Sequence, residues 1–277
     1  MPRASRVSAM PFANVRGIEL YYEAHGDGAA PAVVVAHGAL GSVAHAEAVG
    51  LRAEALARAG FRVIAYDARG HGRSGFTTRP EDYRPASLAE DLRGLLDTLE
   101  LPKVGICGTS MGASTAVVLA NAHPERVDRL VLRSFPPFEP DIEAARSRLY
   151  PLASLYRWLG ETITTSLVTA LSPASERTRL RALLRGQRRA AVVPVIRGFL
   201  AAPLERDALA NIDAPTLVLG HPGDRLHPLR SAELVREMLP RCRLFVAPSG
   251  AHWETERDEL VRVVAAGLRG EAITAAT

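Results

Sequence analysis

The segment "CGTSMGAS", Cys107 to Ser114, places a single serine between two glycines directly after an apolar run. A serine hydroxyl becomes an effective nucleophile only when a neighbouring base removes its proton. The residues before it, "KVGIC", are typical of a strand, and those after it, "MGASTAVVLANAHP", are typical of a helix ending before Pro124. A strand, a sharp turn and a helix predict that Ser110 projects outward as a nucleophile; the alternative is a serine in an ordinary turn.

A histidine base and an acid that orients it are expected in loops downstream of Ser110, if the chain order is serine, acid, histidine. Reactive groups of open α/β sheets gather at the ends of strands. Asp224 is the only carboxylate of "HPGDRLHP", which follows the apolar run "TLVLG". His252 lies in "APSGAHWETERDEL", after the last predicted strand. The sequence therefore predicts Ser110, Asp224 and His252 as a catalytic set.

Alternatives exist for the acid and for the base. The acid could instead be Glu139 or Asp141, after the preceding strand. A separate alternative is that Asp224 is only a turn residue. The alternatives for the base are the other seven histidines. Two of them flank the proposed acid, His221 and His227, and two lie in glycine-rich turns, His37 and His71. The remaining three occupy less constrained places: His25, His45 and His123.

Acyl transfer also needs two donors that stabilise the oxyanion of the tetrahedral intermediate. We expect one to be the backbone N–H of Met111, directly after the nucleophile. The other is expected at Ala39 in "HGALGS", after the early strand "PAVVVAHG". Two glycines, Gly38 and Gly41, allow this backbone to come close to the site, whereas His37 is expected to brace the loop.

The predicted strands and helices that must position these residues are typical of an α/β protein. Short runs rich in valine and isoleucine alternate with helical patterns, which predicts a mostly parallel central sheet with helices on both faces. A helix is predicted over 88–99, begun by a capping box of Ser87 and Glu90. The predicted strands are "GIELYYEAH", "PAVVVAHG", "FRVIAYD", "KVGICGT", "RLVLRSF", "APTLVLGH" and "CRLFVAP".

The alternation breaks once, which predicts a helical cap of residues 136–213 inserted into a core of residues 1–135 and 214–277. Some bulky cap residues are expected to line an apolar pocket or to be plain core: Trp158, Leu159, Phe199 and Leu200. Arginines gather in "RTRLRALLRGQRR", either to steer an anionic substrate or as a solvated helix face. They are Arg177, Arg179, Arg181, Arg185, Arg188 and Arg189.

Composition excludes several classes of protein. The chain of 277 residues carries a net charge of +4, with aromatic residues at 5%, which is unlike the basic, aromatic-studded surface of a nucleic-acid binder. Cys107 and Cys242 are too few and too widely separated for a disulfide scaffold or a zinc site. Neither a signal peptide nor a membrane span is evident, so we expect a cytoplasmic protein. Its expected partner is a small-molecule substrate, without nucleic acid, membrane, cofactor or metal; a homo-oligomer stays open.

Five motifs occur in the order typical of the α/β-hydrolase superfamily, which the chain resembles over nearly its whole length except the cap: "HGALGS", "YDARGHGRS", "GTSMGAS", "GDRLHP" and "SGAHWE". The resemblance is greatest to the esterase, enol-lactonase and cofactor-free haloperoxidase-like group. It implies Ser110, Asp224 and His252 as the triad, with Ala39 and Met111 as oxyanion donors. Epoxide and haloalkane hydrolases are disfavoured because they place an aspartate where Ser110 stands.

The leading expectation is a serine hydrolase that cleaves an ester, thioester or lactone through an acyl-enzyme on Ser110. The alternatives use the same triad for carbon–carbon bond hydrolysis, acyl transfer or perhydrolysis. A non-catalytic ligand-binding relative is a further alternative, since a fold does not fix a function.

Overall fold

A computed structural model describes residues 11–48, 51–172, 177, 181 and 183–273 of the chain. Within these residues the predicted α/β class is confirmed by one sheet of eight strands. Their bounds are β1 Phe12–Val15, β2 Ile18–His25, β3 Ala32–Ala36, β4 Arg62–Tyr66, β5 Val104–Thr109, β6 Val127–Arg133, β7 Thr216–Gly220 and β8 Cys242–Val246.

The strands lie in the order β1-β2-β4-β3-β5-β6-β7-β8. Strand β2 pairs antiparallel with both β1 and β4, and the six strands from β4 to β8 pair in parallel. Because the chain runs from β3 outward to β4 and then back across to β5, the strand order reverses beside β3. Loops at the carboxyl ends of β3 and β5 therefore diverge there, which is where ligands bind in open α/β sheets.

Helices cover both faces of the sheet. The first face carries the apolar sides of α3 and α4, and the second carries α1, α2 and α10. The α-helix bounds are α1 Val43–Ala48, α2 Ala53–Arg58, α3 Pro85–Thr98, α4 Met111–Ala122, α5 Ile142–Leu171, α6 Arg189–Ala201, α7 Asp207–Ala210, α8 Leu229–Met238, α9 His252–Thr255 and α10 Arg257–Arg269. Short 3-10 turns occupy Pro80–Tyr83 and Pro124–Arg126.

Two local details differ from the sequence expectation. Strand β1 was not predicted, and it adds an antiparallel edge through Phe12–Val15. The predicted capping box is wrong: α3 begins at Pro85, so Ser87 already lies in its first turn and its hydroxyl donates to the carbonyl of Glu81 at 3.1 Å. Proline is favoured at the first helical position because its missing N–H has no partner there anyway.

Between β6 and β7 the described chain is helical. Helix α5 contains a break at Gly160, whose φ of 76° and ψ of −176° are not helical, and α6 packs along α5. The division of the chain into a core and an inserted cap stays a prediction. Among the residues the structure describes, no helix is long and apolar enough to cross a bilayer.

Candidate active site

Ser110 lies at a tight turn between β5 and α4. Its φ of 51° and ψ of −111° are unusual for a residue with a side chain, and such strain persists only where the surroundings enforce it. The Ser110 N–H donates to the carbonyl of Arg133 at 3.0 Å. The turn also needs two glycines: a Cβ on Gly108 would lie 2.5 Å from the carbonyl oxygen of Gly112, and one on Gly112 would lie 2.2 Å from that of Ala36. The backbone of the turn at Ser110 is therefore held in place by a hydrogen bond and by the close approach of neighbouring segments.

A histidine that the sequence did not select contacts this hydroxyl. His227 Nε2 lies 2.9 Å from Ser110 Oγ, and His227 Nδ1 lies 3.2 Å from Asp224 Oδ2. Asp224 Oδ1 accepts the N–H groups of Leu226 and His227, each at 2.9 Å, so the loop after β7 closes on its own carboxylate. The structure thus brings Ser110 and Asp224 to opposite nitrogens of one imidazole, that of His227.

Asp224 remains ionised in this setting. Burial alone would raise its pKa, but hydrogen bonds from His221 and His227, together with the N–H of His227, hold the pKa well below its ordinary value. The Nε2 atom of His221 lies 3.5 Å from the same carboxylate oxygen, Oδ2. A carboxylate that stays negative can fix the tautomer of a neighbouring imidazole and stabilise the imidazolium formed when it accepts a proton.

His252, the histidine predicted from sequence, is directed elsewhere. Its Nε2 lies 2.8 Å from Glu259 Oε2, and its ring packs edge-on against Trp253, which is buried in the core. The loop before it is nevertheless close to the acid, since a Cβ on Gly250 would lie 2.8 Å from His221 Cε1. The structure does not bring His252 to Ser110; the position against the hydroxyl is taken by His227.

The two alternative acids are exposed. Asp141 immediately precedes α5, and Glu139 pairs with Arg146 at 3.0 Å. Neither is in hydrogen-bond contact with His227 or His252 among the contacts of the described residues. The geometry therefore favours Asp224 as the carboxylate that orients an imidazole.

The loop after β3 lies against Ser110. A Cβ on Gly38 would come 3.3 Å from Ser110 Cβ, so the backbone just before Ala39 approaches the serine closely. Met111 is the first residue of α4, and the first N–H groups of a helix have no partner within it. Each predicted donor thus follows directly in sequence on a residue of the site, Ala39 on Gly38 and Met111 on Ser110. Their role in holding an oxyanion stays a prediction.

Two buried histidines hold this loop in a reciprocal exchange of hydrogen bonds with the loop after β4. His71 Nε2 accepts the N–H of Leu40 at 3.1 Å, and His37 Nε2 accepts the N–H of Ala68 at 2.9 Å. Each ring uses Nδ1 to donate to a carbonyl in its own loop. We call this arrangement the histidine clasp. It agrees with the expectation that His37 braces the loop.

Both rings of the histidine clasp must be neutral to accept these bonds. Burial lowers the pKa of His37 to about 4, against a smaller opposing effect of its hydrogen bond to Gly38. Burial and, to a lesser extent, the nearby His37 lower the pKa of His71 to about 3.

The helical segment between β6 and β7 adds a further contact to this loop that the sequence did not indicate. The Gln187 side chain donates to the carbonyl of Leu40 at 2.5 Å.

The predicted pocket residues of the cap divide into two groups. Phe199 and Leu200 are buried in the core, whereas Trp158 and Leu159 face solvent. Of the clustered arginines, Arg179 lies outside the described residues; the other five are exposed. No group of three or more histidine, cysteine or acidic side chains suited to a metal ion occurs in the part of the chain that the structure describes.

Comparisons with known proteins agree with the fold. A family model described as the alpha/beta hydrolase fold matches residues 31–255. A 2-hydroxy-6-oxononadienedioate/2-hydroxy-6-oxononatrienedioate hydrolase of Pseudomonas putida is 30% identical, over 90% of this chain and 92% of its own. The sn-1-specific diacylglycerol lipase ABHD11 of Mus musculus is 27% identical, over 90% of this chain and 84% of its own. The crystal structure of the enol-lactonase from Burkholderia xenovorans LB400 superposes with a TM-score of 0.80 at 25% identity, covering 94% of this chain and all of that one.

Proposed function

Because this chain belongs to the α/β-hydrolase family, we propose that it is a serine hydrolase that cleaves an ester, thioester or lactone of a small molecule through an acyl-enzyme on Ser110. The observation that carries the proposal is the contact of 2.9 Å between Ser110 Oγ and His227 Nε2, at a turn that holds Ser110 at a positive φ. This is the geometry a general base needs to take the serine proton as the hydroxyl attacks.

The proposed reaction has two balanced halves. The imidazole takes the Ser110 proton while Oγ bonds to the substrate carbonyl, and the N–H groups of Ala39 and Met111 hold the resulting oxyanion. Collapse of this intermediate breaks the bond to the leaving alcohol or thiol, which receives the proton from the imidazolium. Water then repeats the sequence on the acyl-serine, releasing the carboxylic acid and restoring the Ser110 hydroxyl.

Two histidines compete for the role of base. The contacts support His227, which lies between Ser110 and Asp224. The chain order of the superfamily supports His252, which here pairs with Glu259. We assign the base to His227, with Asp224 as its orienting acid.

A second candidate reaction is hydrolysis of a carbon–carbon bond beside a ketone. It is favoured by the similarity to the Pseudomonas putida hydrolase, which is named for substrates that carry an oxo group. Acyl transfer, perhydrolysis and ligand binding without catalysis stay lesser alternatives. Assaying p-nitrophenyl esters and lactones beside a 2-hydroxy-6-oxo-dienoate separates the two reactions.

The proposal is tested with a fluorophosphonate probe and ester turnover. The probe should label the protein once, and Ser110→Ala should abolish both labelling and turnover. His227→Gln should lower kcat by about 10³-fold or more, as expected for loss of a base, while His252→Gln should lower it less than about tenfold.

Each other outcome has a definite meaning. If His252→Gln is the crippling change and His227→Gln stays active, the base is His252 and the serine mechanism stands. Labelling of Ser110→Ala at the wild-type level would overturn the serine mechanism itself. Circular dichroism of each variant separates lost activity from lost folding.

A further inference from the structure

The second half of α5, after the break at Gly160, exposes apolar side chains to solvent and buries polar ones. Ile163 and Leu167 are 55% and 42% exposed, and Leu171 is 80% exposed. Its inner side carries two threonines, Thr164 and Thr169, that are nearly inaccessible to solvent, beside Val168, which packs partly buried against the core. A surface helix normally buries its apolar stripe and exposes its polar one.

The buried side gains little from this arrangement. The Oγ1 atoms of Thr164 and Thr165 are buried and have no hydrogen-bond partner within the described residues. Burying a hydroxyl without a partner is unfavourable, and exposing leucine and isoleucine forgoes the benefit of removing them from water. An apolar environment on the outer side would offset both costs.

Exposed apolar side chains line the outer side of this half of α5, where Ile163, Leu167 and Leu171 follow at a spacing of four residues and so share one helix face. Two more, Leu159 and Trp158, lie just before the break at Gly160, the latter 76% exposed. We call these side chains together the α5 face: Trp158, Leu159, Ile163, Leu167 and Leu171. It contains five of the eight large hydrophobic side chains that are exposed in the described structure. A concentration of exposed apolar side chains on one element is typical of a site of association.

Positive charge borders the α5 face at both ends. The guanidinium of Arg189 donates to the carbonyls of Arg157 and Trp158 beside the first end. That of Arg177 donates to the carbonyl of Ser172 just beyond the second, at 3.0 Å. From residue 157 to 189 the sequence contains seven arginines and two glutamates. One glutamate, Glu161, accepts the N–H of Gly186; the other, Glu176, lies outside the described residues.

We propose that the α5 face binds the surface of an anionic lipid membrane. A helix with an apolar stripe, an interfacial tryptophan and flanking arginines lies in the headgroup region, where the stripe enters the acyl boundary and the arginines meet acidic lipids. A second copy of the chain is a poorer occupant, because a twofold interface at this face would bring the same arginine-rich borders together. This partner departs from the sequence expectation of no membrane contact.

The test is sedimentation of the whole protein with vesicles of phosphatidylcholine alone or mixed with phosphatidylglycerol. The protein should sediment with the mixed vesicles and stay in solution with the neutral ones. Binding should fall at least tenfold at about 1 M salt, where the Debye length is only about 3 Å. The double variant Ile163→Ser with Leu167→Ser, and separately Arg157→Gln with Arg185→Gln, should each weaken binding about tenfold or more.

Controls keep the result specific to the α5 face. Val246→Ser removes an apolar side chain that is 46% exposed on β8, and Arg58→Gln removes an exposed arginine on α2; neither should change vesicle binding. The proposal is overturned if the protein ignores mixed vesicles, or if both double variants bind them as the wild type does. It is also overturned if the protein is a dimer in solution that Ile163→Ser with Leu167→Ser makes monomeric, since a second copy then covers the face.

Discussion

The histidine clasp makes the stability of the fold depend on pH below neutrality. An unfolded histidine has a pKa near 6.5, whereas the folded values are about 4 for His37 and about 3 for His71. Between pH 6.5 and pH 4 both rings are protonated in the unfolded chain but stay neutral in the folded chain. Their contribution to the free energy of unfolding is therefore fully present above pH 6.5 and decreases as pH falls toward 4.

The size of the effect follows from the same values. A pH of 5 is about 1.5 units below the unfolded pKa of a histidine, and both rings are still neutral in the fold at that pH. Each ring therefore lowers the free energy of unfolding by about 2 kcal/mol, at 1.36 kcal/mol per unit. The two rings together should lower the free energy of unfolding by about 4 kcal/mol between pH 7.5 and pH 5. That is a large part of the 5–15 kcal/mol or so that usually stabilises a domain.

Urea unfolding at pH 7.5 and pH 5 measures this difference directly. His71→Gln keeps an oxygen that can accept the Leu40 N–H but cannot titrate, so the pH-dependent loss should shrink by about half. His37→Gln should do the same independently. Because each protein is compared with itself at two pH values, a general destabilisation cancels. Retention of the full wild-type loss in both variants would falsify the assignment of this pH dependence to the clasp.

Two further substitutions test the turn and the acid. Gly112→Ala should destabilise the fold by about 1–3 kcal/mol and lower kcat, because the new Cβ would lie 2.2 Å from the carbonyl oxygen of Ala36. Gly28→Ala is the matched control, since a Cβ there has nothing within 4 Å. Equal urea midpoints for the two variants would contradict the close approach at Gly112. Asp224→Asn should lower kcat by about 10³-fold or more at unchanged folding, while Asp141→Asn costs less than about tenfold; the reverse order in steady-state assays would place the acid before α5.

The sheet was predictable because its strands are continuous apolar runs bounded by glycine, proline and charged residues. Seven of the eight strands were predicted within a few residues. The exception, β1, has only four residues, two of them exposed, so its pattern is too short to distinguish it from a loop. The start of α3 was misplaced because a serine followed three residues later by a glutamate fits a cap, whereas Pro85 fixes the helix earlier.

The site was only partly predictable. Ser110 is identified by its flanking strand, helix and glycines, and Asp224 by its place after β7. The choice of histidine depends on side-chain direction, which chain order does not specify. Chain order favours a histidine in a later loop over His227, which flanks the proposed acid, yet that spacing of three residues lets one loop present both groups. Helical periodicity alone likewise gives no sign that α5 directs its apolar side chains outward.

The histidine clasp also bears on how sites of this kind can be exchanged between relatives. The loop after β3 carries His37, which binds the loop after β4, and the loop after β4 carries His71, which binds the loop after β3. A chimera that imports one loop alone leaves a buried ring and a buried amide without partners at both ends of the exchange. The two segments, 37–41 and 68–74, therefore act as one module for recombination, although some thirty residues separate them in the chain. Grafting this half of the site into another scaffold requires both loops to move together.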